Sequence, residues 1–362
     1  MLKEYVIKGD NGLKKKNKAL LIFLCIALAA LIPFLFVAAS LAFLPDAYGD
    51  STFLSELADK YALLNSTEEK KIVLLGGSSV AFGFDSETVE KATGYKVVNF
   101  GLYATLGTKM MLDLSESALN EGDIVVLAPE LDPQTMSLYF NATSAWQALE
   151  KDYSMLPKLH SDCYDELVGG LFRHLVEKYD VAFGKKDPTE QNGVYSHSSF
   201  NAYGDISYER PYNTMKREYD PTQTIVLSSS IVDAEFVDYV NAYIKKAEKR
   251  GASVVFSFCP MNSSAMDPAT SETSVAAFTD YIRENIHCEI ISDARDSILA
   301  QGYFFDTNYH LNDAGVQVHT QSVTNDLLRY LGREDEQISA DLPEPPGRKP
   351  TGSSAVSSSA GK

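Results

Sequence analysis

The sequence predicts an α/β protein with a parallel sheet of about five strands, set behind an N-terminal helix long enough to cross a membrane. Three observations predict it. Short β-branched runs alternate with amphipathic segments between residues 70 and 331, the mark of βαβ units. Residues 19–44, ALLIFLCIALAALIPFLFVAASLAFL, carry no charge. The 362-residue chain is 45% hydrophobic, ample for one domain of roughly 250–300 residues.

Taken in order, residues 1–18 form a basic tail, with six lysines against Glu4 and Asp10. As a helix, the 26 residues of 19–44 would measure ~39 Å at 1.5 Å each, enough for a hydrocarbon core of ~30 Å. Lys14, Lys15, Lys16 and Lys18 place the N-terminus on the cytoplasmic side and the body outside. A cleaved signal peptide is the other reading, because VAASLA offers small residues. Residues 46–69 read as a connector with one amphipathic helix. KIVLLGG (71–77) reads as a strand, SETVEKATG as a helix closed by Gly94, and KVVNFG (96–101) as the second strand. TKMMLDLSESALNEG (108–122) is a helix and DIVVLAPE (123–130) the third strand. Residues 233–252 form a strong helix, SVVFSFCP (253–260) the fourth strand, ETSVAAFTDYIRENI a helix and CEIISD (288–293) the fifth strand. A final helix spans 312–331.

Residues 131–232 break the rhythm. They hold helices near 144–157 and 162–180, then a polar stretch with Tyr195, Tyr203, Tyr208, Tyr212 and Tyr219. An insertion this long is a functional lid, or a helical subdomain covering one sheet face. Residues 333–362, rich in Pro, Gly and Ser, are expected to be disordered.

Charge and cysteines narrow the function. The net charge is −17, and the body after the basic tail is more acidic still, which argues against a nucleic-acid partner. Cys25, Cys163, Cys259 and Cys288 show no CxxC spacing, so neither a zinc site nor a disulfide framework is expected. No cofactor motif occurs. KIVLLGGSSVAFGFDS (71–86) lacks the lysine of a phosphate loop, the spacing of a dinucleotide fingerprint and the second glycine of a GxSxG elbow.

Context gives that stretch its meaning. Gly77-Ser78-Ser79 follows the first strand, Asn99-Phe100-Gly101 the second, and FFDTNYHLNDAG (304–315) precedes the last helix. All three fall on the carboxyl edge of a parallel sheet, where open α/β sheets bind ligands. In this order they resemble the SGNH (GDSL-type) hydrolase superfamily, over residues 70–130 and 253–331. With the membrane anchor, the chain looks most like the DltD-like extracytoplasmic branch. The resemblance implies a three-layer, flavodoxin-like domain over 70–332, with Ser79 as nucleophile, His310 as base and Gly101 as second-block glycine. It also implies work on a cell-envelope polysaccharide or teichoic-acid-like polymer, alongside a membrane-bound O-acyltransferase.

Two departures stand out. Asp306 lies four residues before His310, where the family has three, and Thr307 occupies the expected place; Asp313 and Asp293 are other carboxylates at hand. The third block, Gly-x-Asn-Asp, has no match, and Glu130 of APELD stands near its asparagine.

The chemistry expected is acyl transfer through an acyl-Ser79 intermediate. A serine hydroxyl needs a base, His310, and the base needs an orienting carboxylate, Asp306. The backbone N–H groups of Ser79 and Gly101 would form the oxyanion hole. Ser78 supports the turn, and Asn99 either holds the second turn or contacts substrate. Glu130 is a loop carboxylate or a polar site residue, Asn262 is a substrate-contact candidate, and Tyr309 and Asn312 line the site or pack. The other histidines (160, 174, 197, 287, 319) are expected at the surface or in packing. A rival expectation is a catalytically silent polymer-binding or scaffold module.

Overall fold

The computed structural model describes the backbone of residues 2–347 and the side chains from Lys16 onward, Ala30 apart. The chain divides into two units. The smaller comprises Met1–Ala47 and Phe172–Pro188. It contains helix α1 (Leu2–Phe43), whose Lys16–Phe43 stretch, with an 18-residue window of mean hydropathy 3.1, is long and apolar enough to cross a membrane. Within this unit Phe36 stacks on Tyr179 at 6.1 Å, and the Ser40 hydroxyl lies 3.0 Å from the Tyr179 hydroxyl.

The larger unit, Tyr48–Leu171 and Thr189–Lys362, holds the sheet. It begins at Tyr48, ahead of the expected boundary at 70, because α2 (Glu56–Ser66) is packed into it. Leu57, Lys60, Tyr61 and Leu64 of α2 are buried, and the Lys60 ammonium donates to the Asn99 carbonyl at 2.8 Å. Strands β1 (Lys71–Leu75), β2 (Lys96–Asn99), β3 (Ile124–Leu127) and β4 (Ser253–Phe256) fall where the β-branched runs predict them. Helices α3 (Ser78–Ala81), α4 (Ser86–Thr93) and α5 (Thr108–Glu116) intervene. Further on come α6 (Ala142–Leu149), α7 (Tyr164–Ala182), whose residues from Phe172 belong to the smaller unit, and α8 (Ala234–Lys249). A two-residue strand β5 (Met261–Asn262) pairs with β7 (Ile298–Leu299), a small ribbon that the hydrophobic pattern does not reveal. Between them lie α9 (Glu272–Asn285) and β6 (Glu289–Ile290), and α10 (Asp313–Tyr330) follows.

The main sheet is parallel with order β2-β1-β3-β4-β6. Ile72, Leu74, Val97, Ile124, Val126 and Val255 pack on one face with Val89 of α4 and with Val323 and Leu327 of α10. The alternate residues Val73, Leu75, Val125 and Leu127 are fully buried as well, while α8 packs on β4 and on α5. Burial on both faces is why these strands read as continuous apolar runs. Each such side chain contributes roughly 1.5–3 kcal/mol. At the opposite edge from the site, the Lys71 ammonium pairs with Asp123 at 2.8 Å, both fully buried, tying the start of β1 to the start of β3.

Two expectations are corrected. Helix α5 stops at Glu116, and residues up to 122 form turns. The tail is ordered in its first part: Arg333 donates to the carbonyls of Thr93 and Ala92, and Asn325 bonds Ile338 through both main-chain groups. Residues 348–362 of the expected disordered tail lie outside the described residues. The four cysteines are free.

Candidate active site

The strand order sets the location. From β1 the chain steps outward to β2, then back across β1 to β3, so a crevice opens at the carboxyl ends of β1 and β3. Gly77, Ser78 and Ser79 leave β1 there, and Glu130 leaves β3. Glycines are required by close approach. A Cβ on Gly76 would lie 2.5 Å from the Ala128 carbonyl oxygen, and one on Gly101 would lie 2.4 Å from Val80 Cβ. The two turns are pressed together until only hydrogen fits between them.

Ser79 sits on the single turn of α3, fully buried, and its hydroxyl has no hydrogen-bond partner among the described residues. A buried polar atom left unpaired is uncommon and calls for a reason. One turn further along, Phe82 stacks face to face on the His310 imidazole, with ring centroids 4.1 Å apart and 7° between planes. This contact carries the imidazole to the helix that bears Ser79.

His310 and Asp306 meet, with Nδ1 to Oδ1 at 2.9 Å. The longer spacing is absorbed by Thr307, whose hydroxyl accepts the N–H groups of Tyr309 (3.2 Å) and His310 (3.0 Å) and folds the extra residue into a bend. Phe304 bridges Leu311, closing the loop at its base. The competing carboxylates are engaged elsewhere: Asp313 accepts the Arg210 N–H, and Asp293 binds Arg295.

Tyr195, one of the tyrosines of the insertion and not singled out by its place in the sequence, comes to Asp306 and His310 from there. Its hydroxyl donates to Asp306 Oδ2 at 2.6 Å and lies 3.3 Å from His310 Nδ1. Burial pushes the Asp306 carboxyl up, but the bonds from His310 and Tyr195 outweigh it and hold the group below its ordinary value. Burial and the Asp306 charge push the Tyr195 phenol up, so it stays a donor. Arg210, also from the insertion and also missed, is buried with its guanidinium 5.1 Å from the Phe82 ring centroid. Burial lowers it to about 10. The only sequence hint of these residues is an aromatic- and charge-bearing insertion too long for a plain connection.

Both expected oxyanion amides are occupied. The Ser79 N–H donates to Glu130 Oε1 at 2.8 Å, and the Ser78 hydroxyl donates to the same oxygen at 3.0 Å. The Gly101 N–H donates to Asn99 Oδ1 at 3.1 Å. Asn99 is fully buried and its Nδ2 donates to the Val80 carbonyl and to Asp205, so it holds the second turn. Asn262 is corrected from substrate contact to structure: it is fully buried, its Nδ2 donates to the Glu218 carbonyl, and its Oδ1 accepts the Ser264 N–H. Asn312 caps α10. Tyr309 lines a cavity of about 400 Å³ together with Ala104, Glu130, Asp132, Gln134 and Thr222. Among the remaining histidines, His319 is buried with Nδ1 against the Gly83 carbonyl, and His197 bonds Asp59 at 2.6 Å.

Among the described residues, one grouping has the ligand types of a metal site, Glu56, Asp59 and His197. There a single imidazole nitrogen is shared by two carboxylates, and it stands apart from Ser79 and His310 in role.

No family model matches the chain, and no curated protein matches it.

Proposed function

We propose that the protein is an extracytoplasmic, serine-dependent acyl-ester hydrolase or O-acyltransferase of SGNH type, anchored by α1 and acting on a cell-envelope polymer. The observation that carries it is the Asp306–His310 pair, stacked through Phe82 onto the turn that bears an unpaired, buried Ser79 hydroxyl. In this reading Ser79 Oγ attacks an acyl carbonyl and its proton passes to His310 Nε2. Asp306 holds Nδ1 protonated and stabilises the imidazolium. Collapse expels the alcohol, which takes the proton from His310, and the acyl-Ser79 is then passed to water or a polymer hydroxyl. The doubly wound sheet supports a three-layer, flavodoxin-like domain. The basic tail and the span within α1 support an anchor with a cytoplasmic N-terminus.

A second reading, a catalytically silent polymer-binding or scaffold module beside a membrane-bound O-acyltransferase, is favoured by the occupied amides of Ser79 and Gly101. A fluorophosphonate probe separates the two. The enzyme reading expects covalent labelling of the wild type and none of Ser79→Ala. Full labelling of Ser79→Ala would remove Ser79 from its role, and an unlabelled wild type would favour the silent module.

A further inference from the structure

Glu130 occupies an unusual position. It is 6% exposed, and both side-chain hydrogen bonds it receives, from the Ser79 amide and the Ser78 hydroxyl, end on Oε1. Among the described residues none ends on Oε2. The residue also lines the cavity of about 400 Å³, whose other lining residues include Asp132, Gln134 and Tyr309 but neither Ser79 nor His310. With the Ser79 and Gly101 amides both occupied, and no asparagine after β3, this carboxyl is the polar side chain placed between the nucleophile's turn and the cavity.

We propose that Glu130, as the carboxylic acid, is the donor that receives the substrate's developing oxyanion, with Oε1 tied to the Ser79 turn and Oε2–H turned to the cavity. The proposal rests on the serine-enzyme reading and specifies its missing part. As the Ser79 Oγ–C bond forms, the carbonyl π pair moves onto oxygen and the hydroxyl proton goes to His310. The new oxyanion takes a hydrogen bond from Oε2–H, and Glu130 keeps its proton throughout. A buried acid held neutral can serve as such a donor, an arrangement known in ketosteroid isomerase.

The surroundings favour the acid form. Burial raises the Glu130 carboxyl, against the pull of His310, the Ser79 amide and the Ser78 hydroxyl, while Asp132 raises it further. Tyr195 from the insertion, Cys259 after β4 and Tyr309 before α10 are the other ionisable groups that face it, and all three are held in their neutral forms. A raised acid is protonated below its folded pKa and ionises as pH climbs through it. The donor is therefore present on the acid side and lost on the alkaline side. His310 must be neutral to accept a proton, so its requirement has the opposite sign.

The test is the rate of fluorophosphonate labelling of the full chain against pH. The wild type should pass through a maximum. Glu130→Gln, which keeps a neutral donor on the same stem, should lose the descending limb and retain the ascending one. Glu130→Ala should lose roughly 10²–10³-fold at the optimum, as for loss of one oxyanion donor. A descending limb that persists in Glu130→Gln overturns the proposal and leaves the serine-enzyme reading standing. So does wild-type labelling by a Glu130→Ala protein whose melting temperature is intact. Should Glu130→Ala fail to fold, the Glu130→Gln profile decides alone. A wild type that is unlabelled at every pH overturns the serine-enzyme reading itself.

Discussion

Asp306→Asn tests the proposed proton relay with little change of shape. Asp306 accepts two hydrogen bonds, from His310 Nδ1 at 2.9 Å and from Tyr195 at 2.6 Å. Asparagine presents an amide N–H to one of these donors, which disfavours the tautomer that leaves Nε2 free to take the serine proton. In a comparable triad this change lowers kcat by ~10⁴, or ~5.5 kcal/mol of barrier at 1.36 kcal/mol per tenfold. Tyr195→Phe removes only one donor to the carboxylate, and a hydrogen bond to a charged group contributes about 1.5–3 kcal/mol. Its labelling rate should fall by no more than roughly 10–150-fold by the same conversion. The assay is the observed rate of fluorophosphonate labelling at fixed pH, with a thermal melt of each variant to verify folding. If folded Asp306→Asn is labelled at the wild-type rate, the carboxylate orients nothing, and the Asp306–His310 contact is only structural.

Four further outcomes are expected. Because the Asp306 carboxyl is held below its ordinary value, its stabilising contribution is complete above pH ~4 and disappears as pH falls through the lower folded pKa. The melting-temperature gap between wild type and Asp306→Asn should therefore narrow in acid, and a gap constant from pH 6 to pH 2, a range chosen to bracket the ~3.9 of an ordinary aspartate, would contradict it. Gly101→Ala drives a methyl into Val80 and the Gly77 carbonyl, and should lower stability by about 1–3 kcal/mol in urea titration. Lys71→Met alone leaves the Asp123 charge buried without its counter-ion and should cost about 3–5 kcal/mol, while Lys71→Met with Asp123→Asn, which removes the stranded charge and can still accept one of the Lys71 and Asn120 N–H groups, should recover part of it. The full chain should resist carbonate extraction from membranes, whereas a soluble product starting near residue 43 would indicate signal cleavage.

The sheet was legible because its strands are buried on both faces and leave unbroken β-branched runs such as Ile72–Leu75 and Ile124–Leu127, each ended by a turn. The starts of α4 and α9 fall where the sequence puts them, and each is capped locally in the structure, by Asp85 and by Ser271. The β5–β7 ribbon was not legible, since two-residue strands have no period to detect. Of the candidate site, Ser79, His310 and Asp306 could be singled out in the sequence because each lies at the end of a regular element or just before one. Tyr195 and Arg210 escaped because they come from short turns and loops with no period to read, 111 residues from Asp306 in the case of Tyr195. Glu130 was noticed, but its grip on the Ser79 amide depends on two strands of known register and is invisible in a linear string.

Thr307 carries a lesson about tolerance. Its hydroxyl pins two successive amides, so the hairpin between Phe304 and Leu311 keeps the Asp306 carboxylate against the His310 imidazole across a four-residue interval. The interval from carboxylate to imidazole is then governed by how the bend is stitched. By the same logic Thr307→Val should loosen the pair while leaving Asp306 and His310 themselves in place.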